Sequence, residues 1–241
     1  MMSFSCQGRL FSKGGVTNSG INQFLLHIID IMLTRSVDVM WLNDTRFTEG
    51  MLDAYLPLLQ AGLPNSRIFQ FPTKYVHTGS RCQSYNRMGG AVCIITHQWH
   101  GYVTAHLPDP TGSGLINSID IKAGSYHIRL INGYLVPAAA LHGPATIHSR
   151  LTSYIQGPKS PKWTRRMSPL QYQLSYLQIL INTAQGNGAT VIYSGDCNRP
   201  IQSATGKATN PLQIFQMINK LEAPMAQTLH HLPGYHTWRS P

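Results

Sequence analysis

Residues 190–198 read Thr-Val-Ile-Tyr-Ser-Gly-Asp-Cys-Asn, and this stretch decides the fold class. The apolar run at 190–193 predicts a short buried strand, and the turn-forming residues after it end that strand. Directly before it, apolar residues with helical spacing predict a helix; they are Leu170, Leu174, Leu177 and Ile181. A helix followed by a buried strand is typical of layered α/β domains, whose sites form just beyond the strand ends.

A second unit of this kind lies near the start of the chain. An apolar stripe with helical spacing predicts a helix; its members are Ile21, Phe24, Leu25, Ile28, Ile29 and Met32. The apolar run at 37–42 then predicts a buried strand, and Asp44 follows that strand as Asp196 follows the other one. A second helix is predicted by the spacing of Leu52, Tyr55, Leu56 and Leu59.

Strand signals fill the middle of the chain. Apolar runs between turn formers predict strands at 67–71, 90–95, 102–106, 115–121 and 127–135. A further helix is predicted to begin at Pro211 and to extend to Leu221. Helices that alternate with clusters of strands indicate an α/β or α+β architecture. Because no internal repeat or linker is visible, we predict a single domain over 1–241.

Composition and charge exclude several classes of protein. The 241 residues are 42% hydrophobic and 12% charged, which excludes low-complexity disorder and a collagen-like chain. The most apolar stretch, 24–33, is short and contains His27 and Asp30, so we expect no membrane partner and no signal peptide. Four dispersed cysteines without a Cys-x-x-Cys pair favour a reducing, intracellular setting over a disulfide framework or a zinc ribbon.

The net charge of +10 is concentrated in one part of the chain. No acidic residue lies between Asp120 and Asp196, and the segment 138–169, rich in proline and glycine, is predicted to be a long basic loop. Its cations are Arg150, Lys159, Lys162, Arg165 and Arg166. Because Tyr154 and Trp163 lie among them, the segment suits a phosphate backbone with bases to stack on. The alternative is a solvated basic loop that keeps the protein soluble.

With only nine acidic residues in the chain, a metal site has few candidates. Asp44 and Asp196 both follow predicted buried strands, where a carboxylate can hold Mg²⁺ directly or through water. The alternative for each is a structural role in a turn. Arg46 and Arg199 come shortly after these two aspartates, either as ion-pair partners or as cations for a substrate phosphate.

Three other signals have ordinary explanations. His97 and His100 have spacing that could bind a metal, but without a nearby carboxylate they are interpreted as surface histidines. Trp41 is interpreted as a core residue of its strand. Cys197, between Asp196 and an asparagine, is interpreted as a small apolar filler rather than a nucleophile.

Five blocks occur in order along the chain, at 37–46, 89–95, 130–137, 190–198 and 236–238. Together they resemble the endonuclease/exonuclease/phosphatase superfamily, and within it the apurinic-like endonuclease domain of LINE-type retrotransposons. The likeness extends from Ser3 to Trp238, and its most specific parts are 42–46 and 195–198. It implies a four-layer α/β/β/α sandwich with two mixed sheets. It also implies hydrolysis of a phosphodiester at the upper rim, with Mg²⁺ or Mn²⁺.

The resemblance also implies roles for individual residues. Asp196 matches the aspartate that orients or deprotonates the attacking water, and Asn198 matches the asparagine that binds the scissile phosphate. Tyr134 matches a phosphate-contacting tyrosine, and Thr237 matches a threonine that supports the phosphate pocket. Asp44 takes the place of the metal-binding glutamate.

Three departures from the family pattern bear on activity. Asp44 is one methylene shorter than the family's glutamate, and Ser5 replaces the asparagine of the first strand. Pro241 comes before the family's closing Ser-Asp-His block, so we expect the last strand and its histidine to be lacking. Since catalytic groups act as a unit, that loss would remove most of the rate.

Three functional hypotheses follow from the resemblance. The first is a LINE-like, metal-dependent DNA endonuclease that nicks one strand, with the five cations of the basic segment on the DNA backbone. It implies a monomer in the nucleus, with a reverse transcriptase domain in the same polyprotein. The second is a catalytically impaired fragment that keeps the fold and binds nucleic acid. The third is a lipid or inositol phosphate phosphatase, which a +10 charge suits less well.

Overall fold

The computed structural model describes residues 1–5, 18–74, 89–136 and 146–197, of which only the backbone is described for 2–5, 18 and 19. All of them belong to one compact unit, Met1–Arg199, and a second unit, Pro200–Pro241, lies outside the described ranges. The strands are β1 (Met2–Ser5), β2 (Val39–Asn43), β3 (Arg67–Phe71), β4 (Ala91–Ile95), β5 (Val103–Leu107), β6 (Ile116–Ala123), β7 (Tyr126–Tyr134) and β8 (Thr190–Asp196). The helices are α1 (Asn18–Thr34), α2 (Leu56–Gly62), α3 (His97–His100), α4 (Ile147–Gln156) and α5 (Pro169–Gly186), with 3₁₀ turns at Asp53–Tyr55 and Lys162–Arg166.

The eight strands form two mixed sheets, as predicted. The first has the order β1-β2-β4-β3 and the second has the order β5-β6-β7-β8. One parallel pair occurs in each sheet, β1 with β2 and β7 with β8, and the other pairs are antiparallel. Because the strands of a parallel pair end at the same edge of their sheet, the carboxyl ends of β1 and β2, and those of β7 and β8, lie side by side.

The layers follow from the alternation of side chains along the strands. On β2, Trp41 faces a core cluster shared by the two sheets, whereas Met40 packs against α1 and α2. On β7, Leu130 faces the same shared core, and the neighbouring Arg129 points to the opposite face and donates to the Leu180 carbonyl of α5. The described residues therefore form the predicted α/β/β/α sandwich, with α1 and α2 on one side and α5 on the other.

Most predicted elements are confirmed within one to four residues. The strand at 67–71 coincides with β3, and the predicted first and third helices lie inside α1 and α5. The predicted second helix is a 3₁₀ turn that continues into α2. The helix predicted at 211–221 lies outside the described residues, and the single-domain prediction stays a prediction. None of the helices in the described ranges is both long and apolar enough to cross a membrane.

The predicted loop at 138–169 is wrong for the part that the structure describes. Residues 147–156 form α4, and the Thr146 hydroxyl caps its start by accepting a hydrogen bond from the Ser149 amide at 3.2 Å. Three residues at helical spacing, Ile147, Leu151 and Ile155, are buried. The described part of the segment is therefore an ordered insert before α5, with Arg150 on a helix and Lys162, Arg165 and Arg166 on a 3₁₀ turn.

Candidate functional site

The carboxyl ends of four strands meet at one rim of the sandwich. Ser5 of β1 pairs in register with Asn43 of β2, and Tyr134 of β7 pairs with Asp196 of β8. The two sheets are joined there by the amides of Asn43 and Asn132, each of which donates to the other's carbonyl oxygen; the Asn43 Nδ2 to Asn132 Oδ1 distance is 3.1 Å. The structure therefore brings the candidate positions of both sheets to the same edge.

Asp44 is held rigidly just beyond the end of β2. Its Oδ1 accepts a hydrogen bond from the Gly89 amide at 3.2 Å. The loop that contains it is fixed by two backbone bonds, from the Thr45 amide to the Gly90 carbonyl at 3.2 Å and from the Arg46 amide to the Gly89 carbonyl at 2.8 Å. Asp44 and Arg46 both have positive φ, 50° and 59°, which side chains other than glycine rarely adopt. Such backbone strain is frequent at functional sites.

The glycine at position 89 is required by this packing. Its φ is +83°, and a Cβ there would lie 2.2 Å from the Ser113 carbonyl oxygen. The Ser113 carbonyl also accepts a hydrogen bond from the Gly90 amide at 2.8 Å. Only glycine allows the chain to approach this closely while its amide still points at Asp44.

Arg46 forms an ion pair with Asp44, as one of the two alternatives for this arginine predicts. Its Nη2 lies 3.2 Å from Asp44 Oδ2, and its Nε lies 3.4 Å from Asp44 Oδ1. Both oxygens of the carboxylate therefore have a donor. About a quarter of the Arg46 side chain, 27%, remains exposed to solvent.

The charge of Asp44 is nevertheless incompletely compensated. Burial raises the pKa of the Asp44 carboxyl, the Arg46 guanidinium and the Gly89 amide lower it, and the nearby Asp196 carboxylate raises it again. The net direction is upward. Burial is the largest cause of this shift, and Asp196 of the second sheet makes the smallest contribution to it.

Asp196 is placed by a glycine that no other residue could replace. Gly195 has φ +152°, and a Cβ there would lie 1.8 Å from the Gly133 carbonyl oxygen of β7. The Asp196 carbonyl then accepts a hydrogen bond from the Leu135 amide at 2.9 Å. The end of β8 is thus held against the end of β7, and Asp196 is half-buried beside Tyr134.

Gln173 of α5 supports this edge and was missed by sequence reasoning. It is buried, its Oε1 accepts from the Val136 amide at 2.8 Å, and its Nε2 donates to the Tyr134 carbonyl at 3.0 Å. A buried amide that binds both groups fixes the chain direction directly after β7. The available signal was a glutamine within the apolar stripe of a helix, between Leu170 and Leu177.

A buried aspartate in the loop between β5 and β6 has a structural role. Asp109 accepts hydrogen bonds from the amides of Thr111 and Leu115 at 2.8 and 2.9 Å, and from the hydroxyls of Thr111 and Ser113. These bonds shape the loop between β5 and β6 that supports Gly89 and Gly90. Its oxygens are therefore already used.

The other sequence candidates divide into three groups. Ser5 is placed by its backbone alone, and Asn198, Arg199 and Thr237 lie outside the described residues. Cys197 is half-buried with its Sγ 3.8 Å from the Tyr193 hydroxyl, and burial and Asp196 together raise the pKa of its thiol, which favours the interpretation as a filler. His97 and His100 lie on α3, and among the described ranges no group of three or more His, Cys, Asp or Glu side chains could hold a metal.

The cations of the insert occupy two positions. Arg150 is on α4, and Lys162, Arg165 and Arg166 are on the 3₁₀ turn that follows. We call residues 157–166, which also contain Lys159, the basic turn. Its four cations are exposed, as is the indole of Trp163. Four of the five predicted backbone-binding cations are therefore exposed within one ten-residue segment.

The chain matches no protein-family model and no curated protein. It is similar to solved structures of the endonuclease/exonuclease/phosphatase superfamily. One is TDP2 from C. elegans, with 14% identity, a TM-score of 0.44, and coverage of 78% of this chain and 46% of that chain. Another is the human Nocturnin catalytic domain with bound sulfate, with 14% identity, a TM-score of 0.48, and coverage of 90% and 73%.

A third similar structure is the endonuclease domain of TRAS1, a telomere-specific non-LTR retrotransposon. Identity is 11%, the TM-score is 0.43, and the match covers 90% of this chain and 68% of that chain. The chain spans less than half of C. elegans TDP2. At these identities and TM-scores the likenesses assign no activity to the chain.

Proposed function

We propose that the chain is a metal-dependent phosphodiesterase that acts on DNA, as the strand-nicking endonuclease of a LINE-like retroelement. One observation carries this proposal: the carboxyl ends of β2 and β8, from different sheets, meet at one rim where Asn43 contacts Asn132, and Asp44 and Asp196 lie at those ends. Concentrated carboxylate charge at the ends of buried strands suits a divalent cation and a phosphate group.

We infer that the rim would hold Mg²⁺ or Mn²⁺ in competition with Arg46. Asp44 would hold the ion, because its carboxylate supplies the hard oxygen ligands that these ions prefer and its charge is only partly compensated. Few protein ligands are at hand, so water and phosphate oxygens would complete the coordination shell. When bound, the ion would supply Lewis acidity to the scissile phosphate and stabilise its developing charge.

The chain's own residues would perform the remaining steps. Asp196, fixed beside the end of β7, would orient the attacking water and accept its proton. Tyr134 and Asn198 would bind the phosphate oxygens, and Thr237 and Ser5 would support the pocket. Arg150 and the four exposed cations of the basic turn would contact the DNA backbone, since a local excess of cations suits a polyanion.

A second candidate is a protein that binds nucleic acid without turnover. It is favoured by Arg46, which donates to both oxygens of Asp44 and competes with any metal ion there. The nuclear location, the monomeric state and a reverse transcriptase domain in the same polyprotein rest on the sequence resemblance alone and remain predictions.

Nicking of supercoiled plasmid tests the two candidates. We expect nicking with Mg²⁺ or Mn²⁺, no nicking in EDTA, and loss of nicking in Asp196→Ala. The matched control is Asp30→Ala, an exposed aspartate on α1, which should keep full activity. A folded protein that retards DNA but never nicks it would favour the binding protein, and nicking that survives Asp196→Ala would reject the assignment of Asp196.

A further inference from the structure

The basic turn is held in one conformation by two buried hydroxyls. Ser160 and Thr164 are buried, and their hydroxyl oxygens lie 2.6 Å apart in a hydrogen bond. The Thr164 hydroxyl also lies within hydrogen-bond distance of the Pro161 carbonyl, at 2.7 Å, and the Met167 amide donates to the Thr164 carbonyl at 2.8 Å. The side chains between these anchors therefore project from a fixed backbone.

The basic turn is connected to α4, which packs against α5. The buried face of α4 and the ring of Tyr154 lie against α5, where Tyr154 meets Tyr172 edge-on with the ring centroids 5.9 Å apart. Tyr154 is therefore partly buried by this contact. The indole of Trp163 is the aromatic group that the described part of the insert presents outward.

Trp163 combines exposure with a cationic surrounding. Its side chain is 57% exposed, although an indole is among the most costly side chains to leave in water. Lys162 precedes it, Arg165 and Arg166 follow it on the same turn, and no acidic residue lies between 121 and 195. A ligand for this surface should carry negative charge and a flat aromatic face at the same time. An unpaired nucleotide has both properties.

We propose that Trp163 stacks on an unpaired DNA base while the cations of the basic turn bind the phosphates on either side of it. This proposal rests on the proposed action on DNA and adds a substrate preference to it. In an intact duplex both faces of each base are covered, so an indole reaches a base only after unstacking. The chain should therefore bind single-stranded DNA, or duplex with unpaired bases, more tightly than fully paired duplex.

The rigid turn makes this binding efficient. A tryptophan on a fixed backbone loses little conformational freedom when a base stacks on it. Stacking is tolerant of base identity because every base has an aromatic face. The preference should thus be for unpaired structure and not for a particular sequence.

Fluorescence anisotropy with labelled oligonucleotides measures the preference. The probes are a single strand of about 12 nucleotides and the same sequence as a blunt duplex, in EDTA to prevent cleavage. We expect the single strand to bind about tenfold more tightly than the duplex. Trp163→Ala should lower single-strand affinity about tenfold and duplex affinity less than about twofold, while Trp163→Phe keeps most of the affinity.

A matched control and a second readout sharpen the test. Tyr126→Ala removes another exposed aromatic, 74% exposed at the start of β7, and should leave both affinities unchanged. A 2-aminopurine in the single strand should lose fluorescence when the wild type binds, because stacking quenches it, and should keep it with Trp163→Ala. Thermal unfolding confirms that each variant is folded.

The result that would overturn this inference differs from the result that would overturn the proposed function. Equal affinity for single strand and duplex, with no effect of Trp163→Ala on either, would overturn the stacking role while DNA binding stands. Absence of binding to both probes would overturn the action on DNA and this inference together.

Discussion

Two aspartate–arginine pairs in this molecule have the same chemistry but differ in their hydrogen-bond distances and their burial. Asp120 and Arg129 face each other in register on β6 and β7, with both nitrogen–oxygen distances 2.6 Å. Only 4% of Arg129 is exposed, and a further N–H donates to the Leu180 carbonyl at 3.1 Å. Asp44 and Arg46 lie two residues apart in one loop, at 3.2 and 3.4 Å, with part of the arginine in solvent.

The Asp120–Arg129 pair joins a sheet to α5, whereas the Asp44–Arg46 pair leaves the charge of Asp44 only partly compensated. The bidentate geometry between β6 and β7 satisfies the buried carboxylate, and the arginine extends this network to α5. At the rim, by contrast, burial keeps the pKa of Asp44 raised despite its arginine. The Asp120–Arg129 pair stabilises the fold. The ionised form of Asp44 in the rim pair destabilises it.

Breaking the sheet pair should have the largest effect. Arg129→Met leaves Asp120 buried without its partner, and we expect the free energy of unfolding to fall by about 3–5 kcal/mol. Urea unfolding at neutral pH measures it. The double variant Asp120→Leu with Arg129→Met should recover much of the loss, because both charges are then removed. A loss below about 1 kcal/mol in the single variant would contradict a structural role for the pair.

Removing the rim charge should stabilise the protein. Because the pKa of Asp44 is raised on folding, its ionised form opposes folding at neutral pH, and Asp44→Asn should gain about 1 kcal/mol. As the pH falls through the raised pKa, wild-type Asp44 becomes protonated and the gain should shrink. Urea unfolding at pH 7 and at pH 4 tests both statements. A gain that grows towards low pH would show that the direction of the shift is wrong.

Removing the rim arginine should have the smallest effect on stability. Arg46 is partly exposed and its pair is long, so Arg46→Ala should change the free energy of unfolding by less than about 1 kcal/mol. Because the competing cation is gone, Mn²⁺ should bind several-fold more tightly, which electron paramagnetic resonance or calorimetry measures without turnover. Arg35→Ala, an exposed arginine after α1, is the control. Unchanged or weaker Mn²⁺ binding would remove Arg46 as a competitor.

The sequence predicts elements whose signal is local and strong. The stripe of α1 and the run that forms β3 depend on residues a few positions apart, and both were found. The insert contained a signal too, with Ile147, Leu151 and Ile155 at helical spacing after Thr146. It was missed because a ten-residue helix among prolines and glycines is not stable by itself, and packing against α5 is what stabilises it.

The sequence predicted which residues belong to the site but not the contacts between them. Asp44 and Asp196 could be selected because each follows a buried strand. Their mutual repulsion, the pairing of Asn43 with Asn132 and the support from Gln173 depend on strand register and helix docking between distant segments. No local pattern encodes these distances. The two hypotheses for Arg46 stayed open in the sequence for the same reason.

The amide pair between Asn43 and Asn132 has a consequence for the order of folding. These residues are 89 positions apart, so the pair closes a long loop before it stabilises anything. The hairpin of β6 and β7, by contrast, joins neighbouring residues through a short turn. We therefore expect the second sheet to nucleate around that hairpin and the rim to join in the last steps. The part of the molecule assigned to chemistry would then be the last to acquire its native geometry.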